Sequence, residues 1–391
     1  MSDQKKVIIE PENMGKSVTP HVRITNPSFS SDFLSCGIDS LDVGFYVSWE
    51  LSVFTDIVQT LEQAKLLSRK TQAPALPDSP LLNGCLVHPT AKKMYSYHLE
   101  QKGFHLYLAS LATPKSYPNI MVSFNAKMLW YFGYIRSVAN VTTFIESLSG
   151  KISQVKVSRC DICADFRITP ELSADFIKCH SVPNNRKTRI ISQGDTLETY
   201  YIGSSKSMIQ ARLYNKSEEI KTSNKYWFKF VWKTDYLEHI WRLEFQLRRE
   251  ALKAYGINHP SDIKSKLGGM WEDLTSNWFT LRLHDDTNTS RRTIHPLWQE
   301  FQNCKYKFGE FDSVTRDLKH DTAGAEFYLT RAANNLLGFA AVTGLECFSY
   351  AISVFMYELS EYWKDKGFEA AYKAKNIILN GQNSTGEGIY E

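Results

Sequence analysis

Residues 155–168 read VKVSRCDICADFRI. In an extended chain, side chains two apart share a face. Arg159, Asp161, Cys163 and Asp165 therefore line one side of this segment, and Ile162, Ala164 and Phe166 the other. The pattern predicts a strand with one face buried under helices and the other carrying charge. Residues 211–219, ARLYNKSEE, repeat it: extended as far as Lys216, they place Arg212, Tyr214 and Lys216 opposite Leu213. Residues 241–247, WRLEFQL, set Arg242, Glu244 and Gln246 against Leu243, Phe245 and Leu247. Three such strands make a sheet whose open face gathers three carboxylates, several cations and a tyrosine.

Outward from these strands, further strands are expected over 38–49, 103–109 and 119–124, with helices over 53–68 and 137–148. A helix opens at Thr169-Pro170-Glu171 and runs to Cys179, proline being tolerated in a first helical turn. Strands then recur over 189–192, 198–202, 209–216 and 239–247. Strand–helix–strand order occurs twice, with IDSLDVGF (38–45) as the counterpart of RCDICADF (159–166). Beyond residue 249 helices dominate, over 263–278, 295–302, 323–342 and 348–378. The fold class is α+β: a curved, mostly antiparallel sheet from two strand–helix–strand repeats with helices on one face, followed by a helical C-terminal region. The chain divides into a polar N-terminal arm (1–30), an α+β domain (31–256), a helical region (257–380) and a loose Gly- and Asn-rich tail (381–391).

With 43% hydrophobic and 23% charged residues among 391, the chain is not of the disordered class. Its net charge of +4 is unevenly spread: residues 151–260 hold 19 Lys and Arg against 12 Asp and Glu, a local +7, which leaves −3 elsewhere. The segment with the tyrosine is the basic one, as a polyanion partner requires. The 13% aromatic content suits both base stacking and a packed core. Seven scattered cysteines without a spacing framework predict reduced thiols and a cytoplasmic protein, and no secretory signal pattern opens the chain. Cys160 and Cys163 lie three apart in a strand and face opposite ways, which is wrong for a chelate. The stretch 332–357, whose only charge is Glu346, is broken by Asn334, Asn335, Gly338 and Gly344. It reads as two amphipathic core helices rather than a membrane span.

The charged face admits two chemistries. Arg159 and Arg242 can pair with the neighbouring carboxylates as a solvated ladder of ion pairs, or a hard divalent cation can bridge Asp161, Asp165 and Glu244. Tyr214 between cations is likewise either a half-buried strand tyrosine or a nucleophile facing a phosphate.

The ordered set RCDICADF, YIGSSKS with ARLYNKSEE, and WRLEFQLRRE resembles the Rep_trans replication-initiation factors, which start rolling-circle replication of one class of plasmids and are related to phage initiators and conjugative relaxases. The likeness covers about residues 38–300. It implies a nicking and joining enzyme in which Tyr214 attacks origin DNA and forms a 5′-phosphotyrosine. It further implies metal ligation by Asp161, Asp165 and Glu244, with Mg²⁺ or Mn²⁺ as cofactor. In this scheme Arg212 and Lys216 stabilise charge on the phosphate, adjacent cations or the metal lower the tyrosine's pKa, and Glu219 takes its proton. Arg159, Arg242 and Lys206 contact DNA, and the C-terminal cations Arg331, Lys364, Lys366, Lys373 and Lys375 meet phosphates of duplex origin DNA. The partners are origin DNA, single-stranded or in a hairpin at the nick site, with a host helicase and a second copy of the chain as further candidates, and no membrane. The histidines show no His-hydrophobe-His motif. A conjugative relaxase of the same chemistry and a non-catalytic DNA-binding regulator are the alternative readings.

Overall fold

The computed structural model describes residues 28–373 apart from 186, 195, 310–313, 315 and 317–324; most of the N-terminal arm, the C-terminal tail and Lys375 lie outside the described residues. The first half comprises β1 (Ser30–Ser48), α1 (Leu51–Thr71), β2 (Leu86–Val87), β3 (Tyr97–Gln101), β4 (Phe104–Leu108), β5 (Ile120–Phe124), α2 (Ala126–Phe132) and α3 (Tyr134–Ser147). The second comprises β6 (Lys151–Thr169), α4 (Ala174–His180), β7 (Ser181–Pro183), β8 (Thr188–Gln193), β9 (Thr196–Ile202), β10 (Ile209–Asn215), α5 (Lys216–Ser223), α6 (Phe228–Trp232), β11 (Ile240–Arg248) and α7 (Arg249–Ala254). After them come α8 (Leu267–Asp273), β12 (Phe279–Leu281), α9 (Pro296–Asn303), α10 (Ala325–Thr343) and α11 (Phe348–Lys366).

Ten strands form one antiparallel sheet in the order β2-β3-β4-β5-β1-β6-β11-β10-β9-β8. Its spine is the pairing of β1 with β6, interrupted by four register shifts, the kind of irregularity that bends and twists a long ladder. About this spine the halves repeat: β3-β4-β5-β1 on one side has the order and sense of β9-β10-β11-β6 on the other. The rows correspond residue by residue. Gly44, Met121, Tyr107 and His98 lie side by side in the first half, and Asp165, Arg242, Tyr214 and Thr199 occupy that row in the second. In the next row, Asp42, Ser123, His105 and Glu100 answer to Cys163, Glu244, Arg212 and Tyr201. This is the repeat expected from IDSLDVGF and RCDICADF, whose final residues Phe45 and Phe166 are both buried.

One sheet face carries the main hydrophobic core, built from Leu41, Val43, Phe45, Ile162, Ala164, Phe166, Leu243 and Phe245 with α1, α3 and α7. The other face is open except at the second half, where Ile220 of α5, Phe228 and Trp232 of α6 and Ile240 of β11 form a small second cluster with Trp130 of α2 packed against it. β6 is consequently buried on both faces from Cys160 to Phe166.

The structure revises several expected elements. β10 ends at Asn215, and Lys216 begins α5, because the Asn215 side chain accepts a hydrogen bond from the Glu218 N–H at 3.2 Å and caps a helix there. α4 starts at Ala174 rather than at Pro170; the Ser173 hydroxyl accepts from the Phe176 N–H at 3.0 Å. β2, β3, β7, β12, α2 and α6 add to the expected set. Residues 257–308 belong to the main core, which includes Trp271, Trp298 and Phe301. α10 and α11 are not core helices: Leu329, Leu337, Val342, Phe348 and Tyr357 are exposed, and Phe339 packs on Phe355 with ring centroids 5.2 Å apart. Among the described residues no single helix is long and apolar enough to cross a membrane; Tyr328–Thr343 with Phe348–Lys364 passes only as a pair bent by 99°.

Candidate active site

The open face of the second half is a cleft of about 1150 Å³ lined by Asp39, Arg159, Asp161, Arg212, Tyr214 and Glu244 among others. Adjacent strands bring them together: Arg212 of β10 lies opposite Glu244 of β11, and Tyr214 opposite Arg242. The Tyr214 hydroxyl donates to Glu244 Oε2 at 3.2 Å, while Arg212 Nη2 donates to Glu244 Oε1 and lies 3.7 Å from Asp161 Oδ2. Arg159 holds Asp161 through two parallel bonds, Nε–Oδ1 at 2.8 Å and Nη2–Oδ2 at 2.5 Å. Tyrosine, two carboxylates and two arginines thus form one connected polar floor. The Arg212 Nε is buried there without a hydrogen-bond partner.

Behind this floor lies a sealed ion pair. Arg242 is fully buried; its Nε and Nη2 donate to Asp165 at 2.6 and 2.8 Å, and its Nη1 to Asp39 at 2.6 Å. Trp232 Nε1 and the Ser35 hydroxyl complete the Asp165 shell, each at 2.9 Å. The Arg242 guanidinium rests 4.7 Å from the Phe228 ring centroid, under the second cluster. Such pairing is what makes a buried charge tolerable.

The expected residues therefore separate. Glu244 meets the tyrosine and Asp161 is tied to Glu244 through Arg212, but Asp165 stands apart: its oxygens are turned to Arg242. Among the described residues, Asp161, Asp165 and Glu244 form no group with ligand atoms within 4.8 Å of one another. Arg242, expected at the DNA, is an interior residue with its donors engaged. Lys216 does not flank Tyr214 on the strand. It is buried at the start of α5, 5.6 Å from the Tyr214 ring centroid, and bound to Glu219 at 2.6 Å. Glu219 also binds Lys225 at 2.9 Å, and the carboxylate in contact with the Tyr214 hydroxyl is Glu244. Arg159 stays at the cleft. Lys206 is exposed on the turn before β10, at the opposite end of that strand from Tyr214.

Electrostatics correct one further expectation, that the adjacent cations lower the tyrosine's pKa. Burial and the Glu244 carboxylate raise the Tyr214 pKa well above its ordinary value, outweighing Arg242 and Arg212. The phenol is therefore protonated at neutral pH. Burial, with Glu244 beside it, pushes Asp161 up to about 7 against the pull of Arg159 and Arg212. Burial alone would raise Asp39, but Arg242 and Lys216 hold it below the usual carboxylate range. Burial and Arg242 lower Lys216.

Two features escaped the sequence reading. Asp39 was visible in IDSLDVGF, but nothing in its spacing showed that it would share Arg242 with a residue on β6. The second is a histidine group in the first half. His88, His98 and His105, all half-buried, have ring nitrogens within 4.8 Å of one another and could hold a metal ion. A search for adjacent His-hydrophobe-His misses them because a hairpin turn, with Gly103 at φ +105°, folds His105 back beside His98.

No protein-family model matches the chain, and no curated protein matches it. Among solved structures it is similar to the rolling circle replication initiator protein from Geobacillus stearothermophilus, with 16% identity and a TM-score of 0.42 over 71% of this chain and 99% of that one.

Proposed function

We propose that the chain nicks and rejoins single-stranded DNA at a replication origin through Tyr214, as a rolling-circle initiator. The observation that carries this reading is the Tyr214 hydroxyl donating to Glu244 on the floor of an open polar cleft, with Arg212 on the same carboxylate. The motif resemblance supports it. Tyr214 Oη attacks the phosphorus as its proton passes to Glu244. A phosphotyrosine bond forms on the 5′ side, and the bond to the 3′ oxygen breaks, with the departing oxygen taking up a proton to become a 3′-OH. Reversal rejoins the strand. Arg212, with its unpartnered Nε, and Arg159 stabilise the charge that develops on the phosphate.

The oxygen donors of Asp161 and Glu244 fit a hard cation, since Mg²⁺ is commonly held by one or two carboxylates together with phosphate and water. These two residues would hold Mg²⁺ or Mn²⁺, and the ion would supply Lewis-acid polarisation of the phosphate. Asp165 acts on this site only through Arg242, as a positioning residue. In this reading the DNA is single-stranded or in a hairpin at the nick.

The test is a denaturing gel of the purified chain with labelled single-stranded oligonucleotides tiled across its own genetic element, with and without Mn²⁺. A metal-dependent covalent adduct is expected, and Tyr214→Phe should abolish it with DNA affinity nearly unchanged. Tight binding without an adduct on any oligonucleotide would instead identify a non-catalytic regulator.

A further inference from the structure

The symmetry of the sheet assigns a place to the histidines. In the first half, Tyr107 occupies the row position of Tyr214, His105 that of Arg212, and His98 that of Thr199. Both sets lie on the same face of one sheet. The cross-strand row His105–Ser123–Asp42–Arg159 links them, three strand spacings or roughly 14 Å from histidine to arginine. The counterpart of Glu244 is Ser123 and that of Cys163 is Asp42, so in the first half the Glu244–Arg212 pair gives way to Ser123 and His105, and the imidazoles of His88 and His98 stand beside them. The donor chemistry changes accordingly, from hard oxygen to borderline nitrogen.

The geometry of the group is that of a ligand set. His98 Nε2 lies 3.1 Å from His105 Nδ1. The His88 ring stacks on His98 with centroids 4.1 Å apart, and the His88 N–H donates to the His98 carbonyl at 2.9 Å. His88 Nε2 is 2.7 Å from Glu100 Oε2, the carboxylate partner that orients metal-binding imidazoles. The neighbouring cation Lys92 has its Nζ 4.0 Å from the Tyr107 ring centroid and 3.1 Å from the Ser123 hydroxyl. β2 has only two residues, so a bond from His88 to both strands of the β3–β4 hairpin would fasten the weakest edge of the sheet.

We propose that His88, His98 and His105 bind one zinc-class divalent ion, oriented by Glu100, at the first half's counterpart of the Tyr214 cleft. This site is separate from any ion at Asp161 and Glu244 and stands whether or not Tyr214 cleaves DNA.

The probe is Co²⁺ added to the full chain after chelator treatment, read by visible absorption and equilibrium dialysis. With millimolar Mg²⁺ present to occupy any site at Asp161 and Glu244, one Co²⁺ per chain is expected, displaced by Zn²⁺ and not by a further increase in Mg²⁺. His98→Gln and His105→Gln should each weaken it at least about tenfold, the loss typical of removing even an orienting partner. Zn²⁺ should also shield these three histidines of the unmodified chain from diethyl pyrocarbonate, read by peptide mass spectrometry, a measurement independent of how the variants fold. Absent Co²⁺ and Zn²⁺ binding, displacement by Mg²⁺, affinity unchanged in both folded variants, or unshielded histidines would each overturn the assignment.

Discussion

At the scale of single residues, the site turns on a tyrosine that holds its proton. Because burial and Glu244 raise its pKa, attack requires a base in contact. Glu244→Gln keeps a hydrogen-bonding group of the same size but cannot take the proton. It is expected to slow adduct formation at saturating Mn²⁺ by about a hundredfold or more, the scale of general-base contributions, with the circular dichroism spectrum unchanged; an unaltered rate would place the base elsewhere. Asp161 sets a pH dependence. With its pKa raised to about 7, it must lose a proton to bind a cation. Mn²⁺ affinity measured by calorimetry should therefore rise from pH 6 to pH 8, with proton release largest below pH 7, and Asp161→Asn should flatten that rise. The sign for folding is opposite: the native state holds this proton more tightly than the unfolded chain does, so this group's contribution to stability falls as pH climbs from about 4 to 7.

At the scale of elements, the decisive event is the passage from β10 to α5. Alternation over 209–216 showed which side chains share the Tyr214 face, and the structure keeps Arg212 and Tyr214 there. It did not show that Asn215 would stop the strand, because a cap depends on a local hydrogen bond and not on periodicity. Lys216 thereby moves from the strand face to the helix start. Asn215→Ala should cost about 1 kcal/mol in urea unfolding, and Asn215→Asp, which keeps the capping oxygen, appreciably less. Alternation also located Asp165 and Arg242 on the charged face, yet not their sealing. That comes from Phe228 and Trp232, whose short helix has too few residues to show a period. The histidine group was illegible for a similar reason, since it needs a hairpin register and a neighbouring loop.

At the scale of the molecule, the sheet and residues 257–308 share one core, while α10 and α11 expose most of their apolar side chains. A chain ending at Gly309 is expected to melt cooperatively and to retain adduct formation. One ending at Gly256 loses Trp271, Trp298 and Phe301 from the core and should not melt cooperatively by calorimetry. The repeat was legible from two eight-residue matches; its residue-by-residue correspondence required the register. The β1–β6 spine also has a temporal side. About a hundred residues separate the end of β1 from the start of β6. A ribosome adding ~5–20 residues per second leaves β1 waiting roughly 5–20 s for its longest partner. β5 emerges earlier and covers one edge of β1, so the newborn chain carries an unpaired 19-residue border on its other side until the second half arrives.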